Sequence, residues 1–312
     1  MNLSEHGVVI DQATLQRGRR TVLTDLTLAV PPGRSLALIG ATGSGKSSLL
    51  AGLATVLPLH AGDIRLDGHS VRTDPAAVRQ RLGFVPAGIS AWPHARADEF
   101  LELFGVEAGL RGKPLRTAVG KGLALAGIAE PGTPLDSLPA GQTQRLLVAR
   151  GLLHDPQVLL LDAPFAGLDP RERRDLEQVI TDMQLGGRIV VAAIDDAAVP
   201  TCFTHLAVLA AGRLVAHGPA VAAAFECTRG WARRITCPAA AAQAAVVLRR
   251  LGVDASVIDD DMLDCRHDPL VLSFSELITA LVGAGIAIEA AGFQPPWPAQ
   301  LLESIAPDNG PP

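Results

Sequence analysis

Apolar and polar positions follow different periods in different parts of the chain. Residues 7–39 alternate with the two-residue period of half-buried strands, and the apolar run at 35–39 indicates a buried strand. Between about 97 and 153 the apolar positions recur at helical spacing, without a strand pattern between them. Strand patterns return at 158–161, 189–194, 206–210 and 213–217, with a helix predicted over 170–184. The alternation predicts an α/β fold with an inserted helical subdomain.

The last part of the chain carries a second, shorter pattern. Strands are predicted at 232–237, 254–259, 262–266 and 286–291, and helices at 238–251 and 273–285. The second of these helices opens with Ser273 and Glu276, the spacing of a capping box. The order β-α-β-β-α-β is that of a ferredoxin-like unit. We therefore expect two domains: residues 1–225, with the helical subdomain at about 88–153, and a small α+β domain at 226–312.

The segment after the buried strand at 35–39 indicates phosphate binding. Residues 40–47 read Gly-Ala-Thr-Gly-Ser-Gly-Lys-Ser and fill every position of the P-loop pattern G-x-x-x-x-G-K-[ST]. In this pattern backbone N–H groups surround the phosphates, the lysine reaches the β and γ oxygens, and the hydroxyl binds Mg²⁺. The positive end of the following helix faces the same anion. The candidate nucleotide-binding residues are Gly40, Ala41, Thr42, Gly43, Ser44, Gly45, Lys46, Ser47 and Ser48.

A carboxylate follows the predicted strand at 158–161. In P-loop nucleotidases an aspartate at the end of a buried strand holds Mg²⁺ opposite the loop. Asp162 has this position, so we predict that Ser47 and Asp162 are the magnesium ligands. A simple surface aspartate is the alternative interpretation.

Composition restricts the possible partners and the compartment. The chain has 312 residues, 48% hydrophobic and 19% charged, which is enough to bury a full core. Its formal charge of −5 gives no general attraction to nucleic acid, so we expect no nucleic-acid partner. The four cysteines show no C-x-x-C spacing and indicate a reducing cytoplasm. No uncharged run is long enough for a membrane helix, so a membrane role would need a spanning partner.

Three further motifs identify a family. Gly83-Phe84-Val85-Pro86 follows the P-loop, Leu138-Pro139-Ala140-Gly141-Gln142 precedes Asp162, and Gly167-Leu168-Asp169-Pro170 follows it. With these motifs in this order, residues 7–225 resemble the ATP-binding subunits of ABC transporters. The last domain resembles, more loosely, the C-terminal extension of drug-exporter ATPases of the daunorubicin and sodium-export type, including the closing segment 300–305.

The resemblance implies an assembly. In the family two ATP-binding subunits face each other head to tail, enclose two ATP molecules with Mg²⁺, and act on membrane-spanning permease subunits. The partner of this chain would be a second such subunit, identical or different, and the pair would lie on the inner, cytoplasmic face of the membrane. The residues expected to reach the partner's ATP are Leu138, Pro139, Ala140, Gly141, Gln142 and Asp169.

The chain departs from the family pattern around the γ-phosphate. Ala87 replaces the glutamine that senses Mg²⁺ and water, Ala163 replaces the glutamate that polarises the attacking water, and Asp195 stands at the switch histidine. Losing a general base typically costs 10² to 10⁴ in rate. In the signature, a proline and an alanine replace the serine and first glycine. The chain contains no tyrosine to stack on adenine; Arg17 could stack instead, but a solvated arginine is the favoured interpretation. The pattern predicts that nucleotide binding is kept and hydrolysis is weak.

Four functional hypotheses remain open. The first is an ATP-binding subunit of an export-type ABC transporter, and the second is an inactive ABC pseudo-ATPase that acts as a nucleotide-gated scaffold or regulator. A soluble ABC protein acting on DNA or ribosomes is a third, but such proteins usually carry two ABC halves or a long coiled-coil insertion, and a basic surface. A metabolic kinase shares the P-loop but leaves the segments 138–142 and 167–170 unexplained.

Overall fold

The chain divides into two compact units, Met1–Gly218 and Pro219–Pro312. The computed structural model describes residues 7–88, 95–195, 199–219, 231–267 and 274–294. Several predicted features lie outside these ranges, namely the boundary at residues 225 and 226, the capping residue Ser273 and the segment 300–305. Among the described residues no helix is both long and apolar enough to cross a membrane.

A six-stranded sheet forms the centre of the first unit. Its spatial order is β10-β9-β3-β8-β7-β6, and β9, β3, β8, β7 and β6 pair in parallel. Every residue of β3, β7 and β8 is buried, as expected for parallel strands covered on both faces. The strands are β3 (Ser35–Ile39), β6 (Leu82–Val85), β7 (Val158–Asp162), β8 (Ile189–Ala193), β9 (His205–Ala210) and β10 (Arg213–Pro219).

A second, four-stranded sheet has the order β2-β1-β4-β5. Its strands pair antiparallel, and β2 shows the alternating burial that its sequence pattern predicted. Leucines of this sheet and of the first helix after β3 share one hydrophobic core with the central sheet. The strands are β1 (Val8–Arg17), β2 (Arg20–Val30), β4 (Leu59–Leu66) and β5 (His69–Ser70).

Six α-helices complete the described part of the first unit. They are α1 (Lys46–Leu53), α2 (Pro75–Arg81), α3 (Ala97–Glu107), α4 (Gly112–Ala126), α5 (Ala140–Leu152) and α6 (Pro170–Leu185), with a 3₁₀ helix at Leu135–Ser137. Helices α3, α4 and α5 pack on one another, and α5 also contacts β6 and β7. The Asp74 side chain caps the start of α2, where it accepts a hydrogen bond from the Ala77 N–H.

The second unit has its own core and a four-stranded antiparallel sheet of order β12-β13-β11-β14. Buried side chains from the sheet and both helices, among them Ile235, Leu248, Leu263 and Leu277, form this core. The elements are β11 (Trp231–Thr236), α7 (Ala241–Arg250), β12 (Asp254–Val257), β13 (Met262–His267), α8 (Phe274–Gly283) and β14 (Ala290–Gln294).

Two predicted boundaries in the second unit are wrong. Helix α7 begins at Ala241, not at 238, because Ala239 has a positive φ of 52° and its N–H is bound by the Asp261 carboxylate. The last strand begins at Ala290, not at 286. Ile286 is instead buried where its N–H closes the end of α8 onto the Leu281 carbonyl.

Gly83 permits the close approach of α5 to β6. A Cβ at Gly83 would lie 2.1 Å from the Gly151 carbonyl oxygen, whereas a Cβ at Gly120 in α4 would meet nothing within 4 Å. We expect Gly83→Ala to lower the free energy of unfolding by about 1–3 kcal/mol, because backbone must move. Gly120→Ala, the matched control, should raise it by about 0.5–1 kcal/mol through higher helix propensity. Urea denaturation measures both, and a neutral Gly83→Ala would contradict the packing described.

Candidate nucleotide-binding site

The loop between β3 and α1 needs glycine for two different reasons. At Gly40 (φ 157°) a Cβ would lie 2.2 Å from the Leu209 carbonyl oxygen, and at Gly45 (φ 111°) 2.4 Å from the Leu23 side chain. At Gly43 (φ 83°) only the backbone conformation demands glycine, because a Cβ there would meet nothing within 4 Å. The loop therefore lies against the protein at both ends and is open in the middle.

Lys46 lies under this loop and is almost completely buried. Its ammonium group donates to the Gly40 carbonyl at 2.7 Å and to the Ala41 carbonyl at 3.3 Å. It also forms an ion pair with Asp195, 2.9 Å from Nζ to Oδ1. The side chain of Lys46 is 6% exposed and that of Asp195 is 59% exposed. The sequence predicted that both residues lie near bound phosphates, but only the structure shows that they pair directly.

Sheet order brings Ser47 and Asp162 together. Strands β3, β8 and β7 are neighbours and parallel, so the loop after β3 and the end of β7 meet at the same edge. The Ser47 hydroxyl donates to Asp162 Oδ1 at 3.1 Å. Burial raises the pKa of the Asp162 carboxyl above its ordinary value, although the Ser47 hydrogen bond and the backbone N–H of Ala87 act in the opposite direction.

The residues fit a magnesium–phosphate group. A serine hydroxyl beside a buried carboxylate supplies the oxygen ligands that Mg²⁺ prefers, and a divalent cation would compensate the buried charge of Asp162. In the same loop the Ser44 hydroxyl is buried and has no hydrogen-bond partner among the residues that the structure describes. A buried donor of this kind is expected to gain a partner when an anion binds.

A cavity of about 480 Å³ opens at the loop. Six of the nine candidate binding residues line it, namely Thr42, Gly43, Gly45, Lys46, Ser47 and Ser48. The cavity has further lining residues that the sequence did not predict. Beside Arg17 they are Arg20, Thr21, Val22, Ala211 and Gly212. The sequence did contain a signal for these residues, namely the basic turn at 17–20 between two strand patterns. In the structure Arg17 pairs with Arg20 where β1 and β2 meet.

The three positions that the sequence predicts to depart from the family pattern, 87, 163 and 195, lie beside Asp162 or the cavity. Ala163 and Asp195 line one small void of about 20 Å³ beside it. Ala163 has a positive φ of 49°, and its N–H donates to the Ala193 carbonyl, so the hydrogen bonding with β8 continues to Ala163. Ala87 is exposed and reaches Asp162 only through its backbone. At positions 87 and 163 the chain therefore presents methyl groups.

The signature-like segment has partners within the chain. A Cβ at Gly141 would lie 2.0 Å from the Glu172 carboxylate, and the Gln142 amide donates to the Gly127 carbonyl at 3.0 Å. Asp169 caps α6, and the hydrogen bond from the Glu172 N–H lowers the pKa of its carboxyl. The P-loop cavity is lined by neither 138–142 nor Asp169. Within one chain these residues form a separate cluster at the start of α5 and α6.

Comparison with known proteins agrees with the geometry. Residues 23–166 match the model of the family described as ABC transporter. An iron(III)-import ATP-binding protein of Rhizobium meliloti is 34% identical over 68% of this chain and 61% of its own length. An aliphatic-sulfonate-import ATP-binding protein of Xanthomonas axonopodis is 36% identical over 57% and 70%. A daunorubicin-resistance ATP-binding protein of Streptomyces coeruleorubidus is 27% identical over 94% of both chains.

The solved structures give the same fold. A dimeric ATP-binding cassette in a post-hydrolysis state, bound to ADP and Pi, matches with a TM-score of 0.62 and 22% identity, over 68% of this chain and 98% of that one. The chain therefore belongs to the ABC transporter family and contains its ATP-binding domain. This confirms the predicted α/β fold of the ABC type with a P-loop. The chain spans about three fifths of the iron(III)-import relative.

The contact between Gly141 and Glu172 can be tested by a double-mutant cycle. We expect Gly141→Ala to lower the free energy of unfolding by about 1 kcal/mol, because Glu172 must leave its capping position at Asp169 and its ion pair with Arg145. In the background of Glu172→Ala the same substitution should be neutral or stabilising. Thermal denaturation of the four proteins measures the coupling, and equal effects of Gly141→Ala in both backgrounds would exclude it.

Proposed function

We propose that this chain is the ATP-binding subunit of an export-type ABC transporter, which binds MgATP and acts on membrane-spanning partner subunits. The observation that carries the proposal is that Lys46 and Ser47 line one cavity at the loop, while the Ser47 hydroxyl donates to the buried Asp162 carboxylate. Export is favoured over import because the daunorubicin-resistance relative aligns over 94% of this chain, second unit included. The iron-import relative aligns over only 68%.

In this proposal the loop residues 40–48 hold the phosphates, and Ser47 and Asp162 hold Mg²⁺. A bound Mg²⁺ would supply neutralisation of the phosphate charge. Lys46 and the backbone N–H groups of the loop orient the phosphates, and α1 directs its positive end toward them. Arg17 and Arg20 stand at the wall where the remainder of the nucleotide would lie.

The partner in this proposal is a second ABC subunit, identical or different. Its nucleotide would be covered by Leu138, Pro139, Ala140, Gly141, Gln142 and Asp169 of this chain, which form a cluster away from this chain's own cavity. The dimeric state of the ADP-bound neighbour supports such a pair. The pair would lie on the cytoplasmic face of a membrane, bound to permease subunits.

We further interpret α3–α5 as the inserted helical subdomain, and the second unit as a ferredoxin-like domain. Mutual packing of the three helices supports the first interpretation. Element order β-α-β-β-α-β and an antiparallel sheet whose first strand lies between the third and the fourth support the second.

Binding is tested by calorimetry with MgATP. We expect Lys46→Ala to weaken binding at least about tenfold, because it removes the charged donor to the phosphates. Ser47→Ala should abolish the gain in affinity that Mg²⁺ gives while leaving metal-independent binding. Lys121→Ala, which removes an exposed lysine of α4, is the matched control and should bind as the wild type does. A wild-type chain that binds no nucleotide with magnesium present would refute the proposal.

Weak hydrolysis is tested on the purified chain by phosphate release. We expect slow turnover, because methyl groups replace the side chains that orient and deprotonate the attacking water at 87 and 163. The double variant Ala163→Glu/Asp195→His should raise turnover about tenfold or more. Ala166→Glu, which places a carboxylate on the same loop, is the control and should not. Vigorous turnover by the wild type would contradict the assignment of positions 87, 163 and 195.

A second candidate is a pseudo-ATPase that acts as a nucleotide-gated scaffold or regulator. It is favoured by the pattern of the changes, since the family resemblance assigns positions 87, 163 and 195 to the surroundings of the γ-phosphate and the attacking water, while the P-loop pattern is complete. Purification from membranes with identification of the bound chains separates the two candidates. A multi-helix membrane protein in the complex supports transport, and a complex of soluble proteins alone supports the scaffold.

A further inference from the structure

Lys46 has no donor left for a phosphate. An ammonium group has three N–H donors, and here they meet the carbonyl of Gly40, the carbonyl of Ala41 and the carboxylate of Asp195. A nucleotide phosphate that is to bind this lysine must therefore displace at least one of the three acceptors. Lys46 also lines the cavity at the loop, so this exchange takes place where the phosphates would lie.

Asp195 is the acceptor that can leave. Gly40 and Ala41 directly follow β3, and their carbonyls are part of the loop backbone, where the Ala41 carbonyl also accepts from the Ser44 N–H. The side chain of Asp195 is 59% exposed and follows the end of β8 in a segment without regular structure. Its neighbour Ile194 is held by a hydrogen bond from its N–H to the Leu38 carbonyl at 2.9 Å. The side chain can therefore turn toward solvent while the backbone at 194 stays in place.

Even after it leaves the lysine, Asp195 remains a negative charge beside the phosphates. A P-loop lysine reaches the β- and γ-phosphates, so the carboxylate that accepts from its Nζ occupies the place of a terminal phosphate oxygen. A nucleoside diphosphate needs only the β-phosphate part of this space. A triphosphate must bring additional negative charge next to Asp195.

We propose that Asp195 occupies the γ-phosphate position and makes this site select nucleoside diphosphates over triphosphates. The inference rests on the proposed nucleotide-binding function and adds a specificity-determining residue to it. Either nucleotide must take a donor of Lys46 from Asp195, but MgATP must also place its γ-phosphate in the space of the carboxylate against like charge, whereas MgADP brings no such group. Because Asp195 belongs to the same polypeptide, its carboxylate competes with the γ-phosphate at a high effective concentration.

The test is a comparison of MgADP and MgATP binding by calorimetry to the full chain, its Asp195→Asn variant and an Asp11→Asn control. Asp11 is an exposed carboxylate of β1 that does not line the cavity. We expect the wild type and Asp11→Asn to bind MgADP about tenfold more tightly than MgATP. Asp195→Asn should tighten MgATP binding about tenfold, tighten MgADP binding less, and so remove the preference.

Two results would overturn the inference while leaving the proposed function intact. One is a wild type that binds MgATP as tightly as MgADP, and the other is an Asp195→Asn variant that changes both affinities equally or weakens MgATP. Failure of every variant to bind either nucleotide would instead refute the proposed function. If Asp195→Asn does not fold, Asp195→Ser serves in its place. Magnesium pyrophosphate and tripolyphosphate provide a second readout without the base, and the same discrimination is expected between them.

Discussion

The site depends on the parallel order of the central sheet. Strands β3, β8 and β7 run side by side in the same direction, so the chain leaves all three at one edge. Lys46 and Ser47 follow the first strand, Asp195 follows the second, and Asp162 ends the third. Residues that are far apart in the chain thus come within hydrogen-bonding distance, and every property of the site follows from this meeting.

Charge balance then decides what the site can do. One buried lysine faces an exposed carboxylate, and a second carboxylate is buried beside a serine hydroxyl. In the absence of nucleotide the lysine is satisfied internally, and the buried carboxyl has a raised pKa. Such an arrangement favours a ligand that brings its own cation. In the inference drawn above, the Asp195 carboxylate opposes a ligand that brings extra negative charge beside it, as a triphosphate does.

The start of α5 shows how a family motif can also have a local role. Gly141 is needed where the Glu172 carboxylate touches the helix, and Asp169 is needed to cap α6. Both contacts lie within one chain and are satisfied without a partner. The proposed function gives both residues a second role, in contact with a partner subunit, in addition to this packing role. At these positions, changes in stability and changes in subunit association therefore have to be measured separately.

The sequence alone determined the P-loop, the order of strands and helices in the first unit, and the α/β class, because local periodicity and one complete motif carry that information. It also predicted that Ser47 and Asp162 act together, because in P-loop nucleotidases an aspartate at the end of a buried strand stands opposite the loop, and the structure joins the two by a hydrogen bond. The predicted element boundaries at residues 238 and 286 in the second unit are wrong, because a positive φ at Ala239 and the burial of Ile286 outweigh the secondary-structure preference of the local sequence.

Only the tertiary structure decided that Asp195 takes the third donor of Lys46 and that Arg20 lines the cavity at the loop. Both contacts join residues that are distant in the chain, and neither has a local pattern, because side-chain pairing depends on how the sheets are placed in space.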